Sequence, residues 1–123
     1  MNPRILLVDD DTHVLRAMAT SLKRAGFDVT TAEDGEPALA LETDFDVVVV
    51  DYNMKSDKTG ADVVRHFKTR SSKVVCFVLS GEDDPETRHV CLTAGAEDVL
   101  LKPVPPGELR RRLADAAKRT EAA

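Results

Sequence analysis

Four polar landmarks follow directly on apolar runs in this 123-residue chain. Asp9-Asp10-Asp11 follows Arg4 to Val8, Asp51 follows the four valines Val47 to Val50, Ser80-Gly81 follows Lys73 to Leu79, and Lys102-Pro103 follows Val99 to Leu101. If the runs are strands of one sheet, Asp9, Asp10 and Asp51 converge, and carboxylates that converge repel unless a cation compensates them. A hard divalent ion is the natural compensator, and magnesium, which takes oxygen ligands and keeps positions open for a phosphate oxygen, suits such a set. An aspartate at a strand end is also an oxygen nucleophile, and attack on phosphorus gives an acyl phosphate. Lys102, as a point charge, and the Ser80 hydroxyl, as a donor, would then hold the phosphoryl oxygens.

Each of these residues has an ordinary structural role to weigh against that chemistry. Asp11 suits a helix N-cap, and we assign it that role. Asp51 would serve as a helix-dipole partner, Ser80 as a loop hydroxyl and Lys102 as a solvated charge. Such roles explain each residue alone but not their common position at the carboxyl ends of four strands, where open parallel sheets bind ligands.

The elements that must position them alternate along the chain. Arg4 to Asp9 reads as a buried strand, and Val14, Leu15, Met18, Ala19 and Leu22 fall at helical spacing until Gly26 supplies a stop. Phe27 to Thr31 alternates like an edge strand, and Asp34 to Glu42 reads as a short helix. Phe45 to Asp51 carries the β-branched run of a strand buried on both faces, the sheet centre. Ala61 to Thr69 predicts a helix and Lys73 to Leu79 a second continuous apolar strand. Asp84-Pro85 opens a helix that Gly95 closes, Val99 to Leu101 is a short strand, and after Pro105-Pro106 a last helix shows Leu109, Leu113 and Ala116 or Ala117 as its apolar stripe. Residues Thr120 to Ala123 are expected to fray. Five strand-helix units with short connections imply a single three-layer α/β/α domain over residues 1–123, built on a five-stranded parallel sheet.

Composition narrows the function. Seventeen Lys and Arg against 22 Asp and Glu leave a net charge of -5, which disfavours nucleic acid as a direct partner. No apolar run reaches the roughly 20 residues that span a bilayer, and the start shows no cleavable apolar segment, so no membrane partner and a cytoplasmic location are expected. Cys76 and Cys91 lack metal or redox spacing and read as buried, reduced thiols. Arg110-Arg111-Arg112 reads as a solvated helix face, and His13, His66 and His89 are assigned no chemistry.

The constellation Asp9-Asp10, Asp51, Ser80 and Lys102-Pro103 resembles the receiver domain of two-component response regulators along essentially the whole chain. The resemblance implies the flavodoxin-like strand order 2-1-3-4-5. It also implies that Asp51 accepts a phosphoryl group, with Mg2+, from a sensor histidine kinase or histidine phosphotransfer protein. By the same resemblance Asp9, Asp10, Asp51 and the Asn53 backbone carbonyl hold the metal, Lys102 and Ser80 act on the phosphoryl group, and the Lys102-Pro103 peptide is cis. Ser80 would then bias a docking face for a downstream protein, a binding switch and not a turnover enzyme. Asn53 and Glu82, two residues past the acceptor and the switch serine, resemble the pair in the chemotaxis regulator and imply a labile phosphoaspartate.

Three features depart from the family pattern. Val99 stands where members usually carry an aromatic, Lys55 replaces the proline that often follows the methionine after the acceptor, and the loop Lys55 to Thr59 is one residue longer. The chain end just after the last helix suggests a stand-alone regulator. A phosphate-independent pseudo-receiver is an alternative. So is a small aspartyl-phosphate hydrolase, although Asn53 occupies the place where such an enzyme needs its second acid. A flavin carrier on the same fold is disfavoured because the loop after the first strand is acidic.

Overall fold

The computed structural model describes residues 2–122, with the side chains described up to residue 120. Its elements run β1 (Arg4–Val8), α1 (Thr12–Arg24), β2 (Asp28–Ala32), α2 (Gly35–Leu39), β3 (Val47–Asp51), α3 (Gly60–Arg70), β4 (Val75–Ser80), α4 (Pro85–Ala94), β5 (Asp98–Leu101) and α5 (Pro106–Ala122). All five strands are parallel, in the order β2-β1-β3-β4-β5. This is the flavodoxin-like order that the resemblance implied.

Alternation along the central strands divides their side chains between two apolar cores. Leu6, Val8, Val48, Val50, Cys76 and Val78 point to the side covered by α3 through Val63, Val64 and Phe67. Ile5, Leu7, Val47, Val49, Phe77 and Leu79 point to the side covered by α1 and α5 through Leu15, Leu22, Leu109 and Leu113. Every residue of β3 is buried, as a strand covered on both faces requires. At about 25 cal/mol per Å² of apolar area, these layers supply the main force holding the strand ends in register.

Helix ends follow the local chemistry. The Asp11 side chain accepts from the amides of His13 and Val14, capping α1 as expected. Asp84 caps α4 ahead of Pro85, and Gly95 closes that helix at φ +115°, a left-handed conformation open to glycine.

Some boundaries differ from the sequence expectation. Helix α2 covers Gly35–Leu39 and not Asp34 to Glu42. Its last turn tightens, the Leu41 amide donating to the Ala38 carbonyl at 3.2 Å, and beyond it the Arg70 guanidinium donates to the carbonyls of Leu41 and Glu42. Phe45 lies before β3, its ring set edge-on against Phe67 at 5.9 Å. The second strand starts one residue later than expected and takes in Ala32. Helix α5 continues through Thr120, whose hydroxyl donates to the Ala117 carbonyl, so the expected fraying does not hold there; Ala123 lies outside the described residues.

Candidate functional site

Because all strands run the same way, the carboxyl ends of β1, β3, β4 and β5 deliver Asp9, Asp51, Ser80 and Lys102 to one edge of the sheet. Asp9, Asp51 and Ser80 are the buried polar residues among those described. One carboxylate oxygen each from Asp9, Asp10 and Asp51 lies within 4.8 Å of the other two. The convergence expected from the strand ends is therefore present.

The group between these acids is Lys102. Its Nζ donates to Asp9 Oδ2 at 3.0 Å and stands 3.4 Å from Asp51 Oδ2. Sequence reasoning gave this lysine only to phosphoryl oxygens and missed its role as the internal counter-charge of Asp9. The signal was available, since converging acids need a cation and the chain itself supplies one. Asp9 is fully buried, and its other oxygen accepts the Asp11 amide at 2.9 Å.

Electrostatics set the states of the two partners. Burial pushes the Asp51 carboxyl up from 3.8 to about 6, the Asp9 and Asp10 charges push the same way, and Lys102 opposes them. Burial acts against the Lys102 ammonium, but the Asp9 hydrogen bond and the two carboxylate charges prevail and hold it above its ordinary value. Three carboxylates and one ammonium leave two negative charges at neutral pH, which one divalent cation would cancel. The donors are all oxygen, which fits magnesium better than a soft transition metal. His13 is exposed on α1, and neither it nor another histidine belongs to the cluster.

Two loops frame the edge. Ser80 Oγ donates to the Glu82 carbonyl at 3.0 Å and accepts the Glu82 amide at 3.2 Å, so the hydroxyl is parked in its own turn. Past Asp51, the Tyr52 amide donates to the Leu79 carbonyl at 2.9 Å and the Gly60 amide to the Tyr52 carbonyl at 3.0 Å. A Cβ at Gly60 would lie 2.9 Å from the Asp51 carbonyl oxygen, so the start of α3 approaches the acceptor backbone as only glycine permits. Sequence reading singled out neither contact. Asn53 and Glu82 are exposed, and Val99 is half-buried against the apolar side layer. The Lys102-Pro103 peptide is cis, in agreement with the resemblance.

The cysteines stand as expected, whereas the arginine run is only in part a solvated face. Cys76 and Cys91 are free and buried, and burial pushes the Cys76 thiol up to about 12. Arg110 and Arg111 are exposed, whereas Arg112 is half-buried and pairs with Asp98 at 3.2 Å and Glu108 at 3.4 Å. Among the described residues no helix is long and apolar enough to cross a membrane.

Fold and site together define a class: a flavodoxin-like α/β domain with an acidic cluster and a lysine at the carboxyl edge of its sheet. The model of the response regulator receiver domain family matches residues 5–114, and the chain belongs to that family, the receiver domains of two-component systems. It is 40% identical over 114 residues to the transcriptional regulatory protein PrrA of Mycobacterium leprae, covering 91% of this chain and 48% of that one. It is 38% identical over 114 residues to a cyclic di-GMP phosphodiesterase of Thermotoga maritima, covering 93% of this chain but 31% of the relative. The chain thus spans about half the length, or less, of these curated relatives. Among solved structures it is similar to the BeF3-activated DrrB receiver domain of Thermotoga maritima, with a TM-score of 0.88, 30% identity, and 96% and 99% of the two chains covered. Receiver domains bind Mg2+ at an acidic pocket, and the cluster here is of that kind.

Proposed function

We propose that Asp51 is the phosphoacceptor of this receiver, and that a sensor histidine kinase or histidine phosphotransfer protein supplies the phosphoryl group in the cytoplasm. The observation that carries this reading is the buried, desolvated Asp51 carboxylate set between two further acids and the Lys102 ammonium. An ionised Asp51 oxygen attacks phosphorus of the phosphohistidine. The new O–P bond forms as the N–P bond breaks, and the leaving imidazole recovers its proton from solvent. Asp9, Asp10, Asp51 and the Asn53 backbone carbonyl would hold Mg2+, which supplies charge neutralisation and polarises the phosphoryl oxygens.

The chain's own residues then redistribute. Lys102 exchanges its Asp51 contact for a phosphoryl oxygen while retaining Asp9 as its anchor. Ser80 leaves the Glu82 backbone and donates to another phosphoryl oxygen, which disturbs the turn leading to α4. That displacement alters the face formed by α4, β5 and α5, with half-buried Val99 in place of an aromatic indicator and Pro103 following Lys102. A downstream protein reads the face, whether the receiver acts alone or within a longer regulator such as its relatives. The pair Asn53 and Glu82, exposed and two residues past the acceptor and the switch serine, resembles that of the chemotaxis regulator and supports a labile phosphoaspartate.

The test is incubation with Mg2+ and acetyl phosphate or phosphoramidate, read by intact mass. The added mass of one phosphoryl group is expected on the wild type and none on Asp51→Asn. An unlabelled wild type, or an Asn variant labelled equally, refutes the assignment.

A further inference from the structure

Proline is absent after Met54 and the loop from Lys55 to Thr59 carries an extra residue, so no fixed φ presets the backbone that follows the acceptor. The structure nevertheless holds this loop, and the hold comes from the other side of the site. Asp34, between β2 and α2, accepts at a single oxygen, Oδ1, from Ser56 Oγ at 2.8 Å, from the Ser56 amide at 3.4 Å and from the Gly35 amide at 2.7 Å. Ser56 Oγ in turn accepts the Lys58 amide at 3.3 Å. These bonds, that from Ser56 Oγ foremost, hold the Asp34 carboxyl below the usual carboxylate range.

Packing supports the same clamp. A Cβ on Gly35 would lie 2.7 Å from Lys58 Cβ and 3.5 Å from Met54 Cε, so the start of α2 and the loop are pressed together with no room for a side chain. At its far end the loop is fixed by the bond from the Gly60 amide to the Tyr52 carbonyl. The backbone of Asn53 therefore runs between two anchors, one of which is Asp34.

We propose that Asp34, acting through Ser56, is a positioning residue for the metal site: it sets the loop that carries the Asn53 carbonyl in place of the missing proline. This rests on the reading of Asp51, Asp9, Asp10 and Asn53 as the site that takes Mg2+. Asp34 itself touches neither metal nor substrate in this account. Its contribution is preorganisation, because without the clamp the Asn53 carbonyl must be ordered at the moment of binding. Partners that hydrogen-bond a ligand directly change metal affinity by about 10–100-fold, and a clamp one step further out should act below that range.

The experiment uses the whole chain with Mg2+ as the probe. Mg2+ dissociation constants are measured by calorimetry for wild type, Asp34→Ala, Asp34→Asn, Ser56→Ala and Asp84→Ala, alongside acetyl phosphate labelling as a function of Mg2+ concentration. Asp34→Ala is expected to weaken Mg2+ binding about three- to tenfold, below the direct-partner range. Its half-saturating Mg2+ for labelling should rise while the plateau rate stays at the wild-type value. Ser56→Ala should move the same way, and Asp34→Asn, which keeps an acceptor oxygen, should stay within about twofold of wild type on the same scale. Asp84→Ala removes a comparable N-cap on α4 and should leave the Mg2+ constant unchanged, which separates the clamp from a general loss of stability. Wild-type Mg2+ affinity in Asp34→Ala, or an equal loss in Asp84→Ala, overturns the proposal while leaving the acceptor assignment intact. A wild type that neither binds Mg2+ nor labels overturns both.

Discussion

Replacing Asp51 by Asn should stabilise the metal-free domain at neutral pH, although it removes the proposed acceptor. Burial lifts the Asp51 carboxyl from 3.8 to about 6, so ionising it inside the fold costs more than ionising it in the unfolded chain. At about 1.4 kcal/mol per tenfold change in the ionisation constant, the full difference amounts to about 3 kcal/mol. The side chain retains 13% exposure and some access to water, so a realistic gain for the Asn variant is about 1–3 kcal/mol. The sign follows from proton counts. Between pH 3.8 and about 6 the folded state binds more protons at this group than the unfolded state, so its contribution to stability falls as pH rises through that window. Above pH 6 the loss is complete, and below 3.8 both states are protonated and the group is neutral to stability. Asn has no such dependence. Thermal unfolding followed by circular dichroism in EDTA should show the variant melting roughly 4–12 °C higher at pH 7.5, with the gap closing towards pH 4. Saturating Mg2+ should narrow the gap by binding the folded wild type more tightly. A variant no more stable than wild type at pH 7.5 in EDTA, or a gap independent of pH, would refute the argument.

Lys102→Met should destabilise the metal-free domain by about 2–4 kcal/mol, because it leaves the fully buried Asp9 with the Asp11 amide as its remaining partner. Urea unfolding in EDTA measures this, and an unchanged midpoint contradicts the counter-charge role. Gly60→Ala should cost about 1–3 kcal/mol in the same assay, since its Cβ would meet the Asp51 carbonyl oxygen and Tyr52 Cα at 2.9 and 3.0 Å, and both are backbone atoms. Neither cysteine should react with a thiol reagent in the native state, with burial pushing Cys76 to about 12 and raising Cys91, and fast labelling before unfolding would contradict that. The phosphorylated wild type should lose its added mass without a phosphatase, and a mass retained over many hours would speak against the role of Asn53 and Glu82.

Much of this architecture was legible in the sequence because the signals were local. The apolar run Val47 to Val50 fits a strand with two covered faces, Asp11 and Asp84 open helices through side-chain bonds, and Gly95 closes one through a φ value open to glycine. Helix α2 was overdrawn because no local residue type marks where its last turn tightens, with the Leu41 amide on the Ala38 carbonyl, or where Arg70, about thirty positions away, holds the Leu41 and Glu42 carbonyls. The site follows the same division. Strand ends announced Asp9, Asp51, Ser80 and Lys102 one at a time. Sequence did not show that Lys102 neutralises Asp9 or that Asp34 reaches Ser56, since both bonds depend on how separate loops meet at the sheet edge.

That edge holds a conflict the rest of the fold is built to maintain. A buried carboxylate in close company with two others is unfavourable, and the two apolar layers hold the strand ends too firmly for the acids to separate. The single lysine offsets this only in part: burial first, and the neighbouring acids with it, still push Asp51 up to about 6, while Lys102 is held in its charged form. A group arriving with its own cation competes for Lys102, and whatever partner the lysine yields must be compensated by movement nearby. In the proposed function Ser80 would supply that movement, because among the described residues its hydroxyl bonds the backbone of Glu82, in the turn it would open. On the proposed function, coupling between the acid cluster and the loop before α4 would then follow from charge balance in a rigid frame, without an aromatic at position 99.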